Sequence, residues 1–215
     1  MDIAILTYDR FTALDAIGPY EVLSRLPGAR VTFLAREAGP VRSDNGMLTL
    51  LAEPLESLSS PEIVLVPGGP GEVAARAGEE TLEWLRAADR TSDWTTSVCT
   101  GSLILAAAGL LDGVRATTHW LAMDALARLG AQPTAQRVVF EGKIVTAAGV
   151  SAGIDMALAL AERVAGRPVA EAIQLGIEYD PEPPLHAGSP RKAPAAVRQM
   201  LQDASRFTEQ APAGG

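Results

Sequence analysis

Cysteine is almost absent from this chain: Cys99 is the one thiol in 215 residues. A lone cysteine cannot close an internal disulfide, so the fold must rest on its core, and a reducing compartment is consistent with such usage. Histidine is nearly as scarce. His119 and His186 lie far from Cys99 and from each other in sequence, a poor kit for a structural zinc site, and no metal is expected. No apolar run approaches the length of a membrane span, and the N-terminal MDIAILTYD turns acidic too early for a secretory signal. The expected location is the cytoplasm. Basic residues are the minority, 18 Lys+Arg against 26 Asp+Glu for a net charge of −8, and no local basic patch offsets them. That balance speaks against nucleic acid and anionic membrane surfaces as partners.

What is present suits a folded chain: 47% hydrophobic and 20% charged residues. The length favours a single domain, expected over residues 1–205, with 206–215 as a flexible tail ending in QAPAGG. Residues 3–6 read as a buried strand, followed by a loop and a helix over 20–26 in which Pro19 is the first helical residue and Gly18 the cap. A second strand is expected at 31–35, a turn at Asn45-Gly46 leading into an extended segment, and a third strand in EIVLVPGG, 62–69. A helix over 79–89, a strand at 95–98, a helix over 101–111, a short ATT strand, an amphipathic LAMDALARL and a hairpin about Glu141-Gly142 follow. Helices at 152–164 and about 195–205 complete the pattern. Apolar strands alternating with helices predict an α/β fold with a mostly parallel sheet covered on both faces.

In such a sheet, ligands bind outside the carboxyl ends of the strands. Cys99 sits there, in TSVCTGS, where a strand ends and a helix begins. A sharp turn exposes a nucleophile and aims helix N-terminal amides at negative charge, which would lower the thiol's pKa. The neighbouring Gly101 and Ser102 suit a chain that doubles back at once. The competing reading is a small buried hydrophobe, the commoner fate of a free cysteine. The PGGPG loop brings Gly68 and Gly69 to another strand end, where unobstructed amides would suit an oxyanion hole; an ordinary glycine-rich loop is the alternative. Asp15, placed before the expected helix, is not needed as its cap, so it either faces the crevice and exchanges protons or bonds locally to loop backbone. His119, 20 positions after the cysteine, suits either a cysteine–histidine pair or local hydrogen bonding. Trp120 beside it reads first as core and second as the wall of an apolar pocket.

Taken in order, LDAIGPYEVL, the PGG loop, VCTG, ATTHW, SAGIDMALAL and IEYDPEPP resemble the ThiJ/PfpI superfamily, which has a glutamine-amidotransferase-like α/β fold, and within it the isonitrile (isocyanide) hydratase branch. The likeness runs from the first strand to SPRKAP. Protease-like and deglycase-like members typically carry a histidine directly after the cysteine and a glutamate from the first-strand region; Thr100 and Asp15 stand in those places here. The resemblance implies hydration of a small-molecule isonitrile to an N-substituted formamide without a metal or organic cofactor. Cys99 would be the nucleophile, Asp15 the proton donor and acceptor, and Thr100 a hydrogen-bond donor near the sulfur. Gly69 would be a further donor, and Val150 and Ser151, at the start of a helix, would line the pocket. It also implies a homodimer. Regulators of this fold share LD…GP and ATTHW but append a helix-turn-helix region, so a sensing domain is the alternative function, and a redox sensor built on Cys99 is another.

Overall fold

In the computed structural model, which describes residues 1–207, the short apolar runs form strands and the longer periodic stretches form helices. The order is β1 (Asp2–Leu6), α1 (Ala13–Leu23), β2 (Arg30–Ala35), β3 (Gly39–Arg42), β4 (Thr49–Pro54), β5 (Ile63–Val66), α2 (Glu72–Ala75), α3 (Glu79–Thr91), β6 (Trp94–Val98) and α4 (Gly101–Ala107). There follow β7 (Arg115–Ala116), α5 (Met123–Arg128), β8 (Gln132–Pro133), β9 (Val138–Glu141), β10 (Ile144–Ala147), α6 (Ala152–Ala165), α7 (Arg167–Gly176) and α8 (Ala195–Asp203). An eight-stranded sheet runs β3-β4-β2-β1-β5-β6-β10-β9, parallel throughout except for β3 and β9 at its two edges. β7 and β8 pair separately.

Side-chain alternation in the central strands determines which helices cover which face. Ala4, Leu6, Val64 and Val66 pack with Leu82 and Leu85 of α3, Leu103 to Ala106 of α4 and Leu126 of α5. Ile3 and Ile63 pack on the opposite face with Val22 and Leu23 of α1, Leu160 of α6 and Ile173 of α7, and Ile5 and Leu65 join Ala16 and Met156 there. Both faces of the sheet are therefore dry, as expected for near-continuous apolar strands. Among the described residues, no helix is long and apolar enough to cross a membrane.

Several element boundaries differ from the sequence expectation, among them the end of α1, which stops at Leu23 rather than 26. α1 begins at Ala13, with Thr12 as its N-terminal flank, so Pro19 lies inside the helix and Asp15 in its first turn. Proline's fixed φ suits a helix; it forfeits the N–H that would have bonded the Asp15 carbonyl. α4 stops at Ala107 because the chain reverses at Gly109, φ +80°, well before Leu111. The strand expected in ATT shrinks to the β7 pairing at Arg115–Ala116, leaving Thr117 and Thr118 in a connection toward His119. The elements β3, α2, β8 and α7 have no counterpart among the sequence expectations. Of the tail expected at 206–215, positions 208–215 lie outside the described residues.

The core makes a direct claim on stability. Leu65 is fully buried at the middle of β5, opposite Ile5 and Thr96. Leu65→Ala is expected to lower the free energy of unfolding by about 2–5 kcal/mol, whereas Leu51→Ser, in β4 beside the edge strand and 78% exposed, should stay within about 0.5 kcal/mol of the parent. Urea titrations of the two variants check both.

Candidate active site

Four parallel strands discharge their carboxyl ends at one place. β1 leads to Tyr8 and the start of α1, β5 to Pro67 and the glycines, β6 to Cys99, and β10 to Ala148 and the start of α6. Cys99 is the pivot of the β6–α4 turn. Its φ of +57° is a conformation that residues with a side chain rarely adopt. The surroundings hold it there: the Cys99 amide donates to the carbonyls of Ala147 and Ala148 at 3.1 and 3.0 Å. Its carbonyl accepts from the Thr118 hydroxyl at 2.9 Å and the Ser102 hydroxyl at 3.2 Å. Gly101 follows because the Val66 carbonyl occupies the space a side chain would need.

Asp15 reaches the same point from α1. It is fully buried, and its Oδ2 accepts the Gly68 amide at 2.9 Å, while Oδ1 has no hydrogen-bond partner among the described residues. Burial pushes its carboxyl up to about 7, against the stabilising effects of the Gly68 amide and the adjacent Cys99 thiol, and the charge of Asp44 adds to the rise. The Cys99 thiol is likewise pushed far above its ordinary value, first by burial and then by the charge of Asp15; the amides of Thr100 and Val150, aimed at the sulfur, oppose this without reversing it. The lowered thiol pKa expected from the helix N-terminus is therefore corrected. α4 has seven residues, and desolvation at 7% exposure outweighs its amides. The resting pair holds its proton between a carboxyl and a sulfur that both resist ionisation.

The glycine loop does something other than present free amides. The Gly68 N–H is spent on Asp15, and the Gly69 N–H donates to Thr100 Oγ1 at 3.0 Å. A side chain at Gly68 would fall 2.5 Å from the Thr100 amide nitrogen and 2.9 Å from Asp15 Oδ2, so the loop presses against both groups. Tyr8 holds its other end, donating to the Pro67 carbonyl at 2.7 Å. Val150, at φ +37°, brings its amide to the sulfur, whereas Ser151 is exposed and accepts from Arg137 at 3.3 Å.

His119 stays apart from this exchange. Its Nδ1 accepts from the Leu121 amide at 3.3 Å, its ring packs against Gly149, and burial lowers its pKa, which favours the neutral form. Among the described residues no hydrogen bond joins it to Cys99. Trp120 sits beside it, ring centroids 6.1 Å apart, in a short 3₁₀ turn. Sequence reasoning missed Thr118, whose hydroxyl secures the elbow, and Tyr8; each contact depends on chain segments far apart in sequence.

The model of the DJ-1/PfpI family matches residues 1–163. An isonitrile hydratase of Pseudomonas putida is 42% identical over 92% of this chain and 86% of its own length. The HTH-type transcriptional regulator CdhR of Pseudomonas aeruginosa is 33% identical over 90% of this chain but only 56% of its own. The crystal structure of a ThiJ/PfpI family protein from Pseudomonas syringae superimposes with a TM-score of 0.93 at 40% identity, covering 97% of this chain and 87% of that one.

The buried carboxyl fixes how stability follows pH. Its folded pKa, about 7, lies above the unfolded value near 3.8, so the native state holds the proton more tightly. The contribution of Asp15 to stability is then greatest below about pH 4, falls between pH 4 and 7, and levels off above 7, a penalty of roughly 4 kcal/mol at most. Asn at this position keeps an acceptor for the Gly68 amide and carries no charge. Asp15→Asn is therefore expected to match the parent near pH 4 and exceed its stability at pH 8, as measured by urea unfolding at both values.

Proposed function

The chain belongs to the DJ-1/PfpI family, and from that premise we propose that it is an isonitrile hydratase, converting an isonitrile and water into an N-substituted formamide. The observation that carries the reading is the buried Asp15–Cys99 pair with Thr100, not histidine, after the nucleophile. The likeness to the Pseudomonas putida hydratase over 92% of the chain supports it.

The terminal carbon of an isonitrile accepts a nucleophile and a proton at the same atom. A thiol and an adjacent carboxyl supply both. Asp15 takes the proton from Cys99 as the sulfur bonds to that carbon and delivers it to the same carbon, giving a thioimidate, Cys99–S–CH=N–R. Asp15 then draws a proton from water, the hydroxide adds to the carbon, and the proton passes to nitrogen. Collapse of this adduct returns the electron pair to sulfur, Asp15 receives the hydroxyl proton and passes it to the thiolate, and R–NH–CHO leaves with the thiol and carboxylate restored. Every proton passes through one carboxyl, which a pKa near neutrality suits. The Thr100 and Val150 amides stabilise the departing thiolate. The Gly68 and Gly69 amides orient Asp15 and Thr100. Val150 and Ser151 at the start of α6, with His119 and Trp120 beyond them, are assigned to the pocket rather than to proton transfer.

The same reading makes the protein a cytoplasmic homodimer that needs no cofactor. The partly exposed apolar surface of Leu14, Ile17, Ile154 and Ile177 between α1 and α6 supports association.

Formamide production from p-nitrophenyl isocyanide tests the reading. Cys99→Ala is expected to abolish turnover, and Asp15→Asn to lower kcat by about 10²–10⁴-fold. A reduced wild-type protein without turnover on a panel of alkyl and aryl isonitriles would overturn it and favour a non-catalytic, ligand-sensing role.

A further inference from the structure

Behind the glycine loop lies a charged cluster that the proposed chemistry does not use. Glu72, at the start of α2, is fully buried, and its two oxygens meet Arg76 Nε at 3.0 Å and Arg206 Nη2 at 3.1 Å. Arg206 lies beyond the last helix, 134 positions away in sequence from Glu72. Its guanidinium also donates to the Pro70 carbonyl at 2.8 Å and the Gly69 carbonyl at 3.4 Å. Its Cζ lies 4.7 Å from the centroid of the Phe207 ring, which packs against the core on the α3–α5 face. One planar side chain thus grips the carbonyl side of a loop whose amide side touches Asp15 and Thr100.

We propose that Arg206 is a positioning residue for the Asp15–Cys99 pair: by holding the Gly69 and Pro70 carbonyls and the buried Glu72, it keeps the Gly68 and Gly69 amides aimed at Asp15 and Thr100. A buried carboxylate needs charge and hydrogen bonds to stay in place, and a guanidinium can supply two arms in one plane. Without Arg206, Glu72 keeps only Arg76, and the loop loses its fastening on the side away from the thiol. The Gly68 amide then drifts from Oδ2, the carboxylate loses its donor, and Asp15 holds its proton to higher pH. Cys99, Asp44 and Tyr8 are the other titratable groups coupled to Asp15; of these Tyr8 feels the Arg206 charge, and burial keeps its hydroxyl protonated throughout the range titrated, more so when that charge is removed.

The inference rests on the acid–base role given to Asp15, and its test does not need turnover. In protein labelled with carbon-13 at the aspartate carboxyls, the Asp15 signal is identified by its loss in Asp15→Asn and titrated by NMR. The midpoint is expected near 7 in the parent, higher by about half a pH unit or more in Arg206→Ala, and intermediate in Arg206→Lys. If isonitriles are substrates, kcat should fall about tenfold in Arg206→Ala with KM little changed, and Arg206→Lys should recover part of it. An unshifted midpoint in a folded Arg206→Ala protein, with only a lower Tm, would reduce Arg206 to a stability contact and overturn the proposal. If Arg206→Ala does not fold, Arg206→Lys decides by the same midpoint: above the parent supports the proposal, equal to it overturns it. Absence of turnover with a shifted midpoint would count against the hydratase reading alone.

Discussion

A carboxyl and a thiol buried against each other cannot both be charged, and much of this molecule serves that meeting. In water Asp15 would ionise well below neutrality and Cys99 somewhat above it. Inside the protein, desolvation raises both; the charge of Asp15 makes the thiol harder still to ionise, while the thiol's hydrogen bond partly eases the ionisation of Asp15. The result is a pair that gives up a first proton near neutrality and keeps the second. A group in that condition can hand a proton to carbon and take one back from water at the same pH. A pair of exposed residues would separate their charges in solvent and lose the coupling.

Holding the pair dry requires backbone to approach from several directions, which explains where the glycines and the unusual dihedrals fall. Cys99 at φ +57° turns the sulfur out of the sheet toward α1. Gly101 lets the chain pass the Val66 carbonyl, and Gly68 brings a backbone amide to a buried carboxylate whose other donor is the Cys99 thiol. Strain of this kind, on the order of 1–3 kcal/mol at a residue with a side chain, persists only where neighbours over-determine it. Here they do: two carbonyls hold the Cys99 amide, and the hydroxyls of Thr118 and Ser102 hold its carbonyl.

The elbow was legible because it is local: an apolar run, a cysteine and a glycine within four residues can hardly be arranged otherwise. The sheet was legible for a similar reason, since its central strands are buried on both faces and read as uninterrupted apolar runs. Pro19 reads as a helix start, which sets Asp15 outside the helix, because an interior proline loses one hydrogen bond and crowds the carbonyl four residues back; α1 bears that cost at the single Asp15 carbonyl and runs from Ala13. The thiol's shift runs opposite to the sequence expectation for another reason. Helix-end amides are visible in a sequence, while desolvation is set by everything that closes over the sulfur. Thr118 and Arg206 act on segments that only the fold brings near, 19 residues from Cys99 and 137 from Gly69, and no local pattern marks them.

The same burial bears on what the site is for. A cysteine that senses peroxide needs thiolate and access, and Cys99 is 7% exposed with its pKa pushed upward. A cysteine that attacks an isonitrile carbon has different needs, because the proton leaving sulfur is the proton the carbon must gain. Thiolate in the resting state would be no advantage, and a partner carboxyl that can carry the proton across is essential. Oδ1 of Asp15, buried and without a partner among the described residues, leaves one acceptor position open to do so. A domain that only bound a ligand would have no reason to hold an unpaired carboxyl oxygen beside a thiol, since such an arrangement costs stability at neutral pH. Its persistence fits proton transfer better than recognition alone.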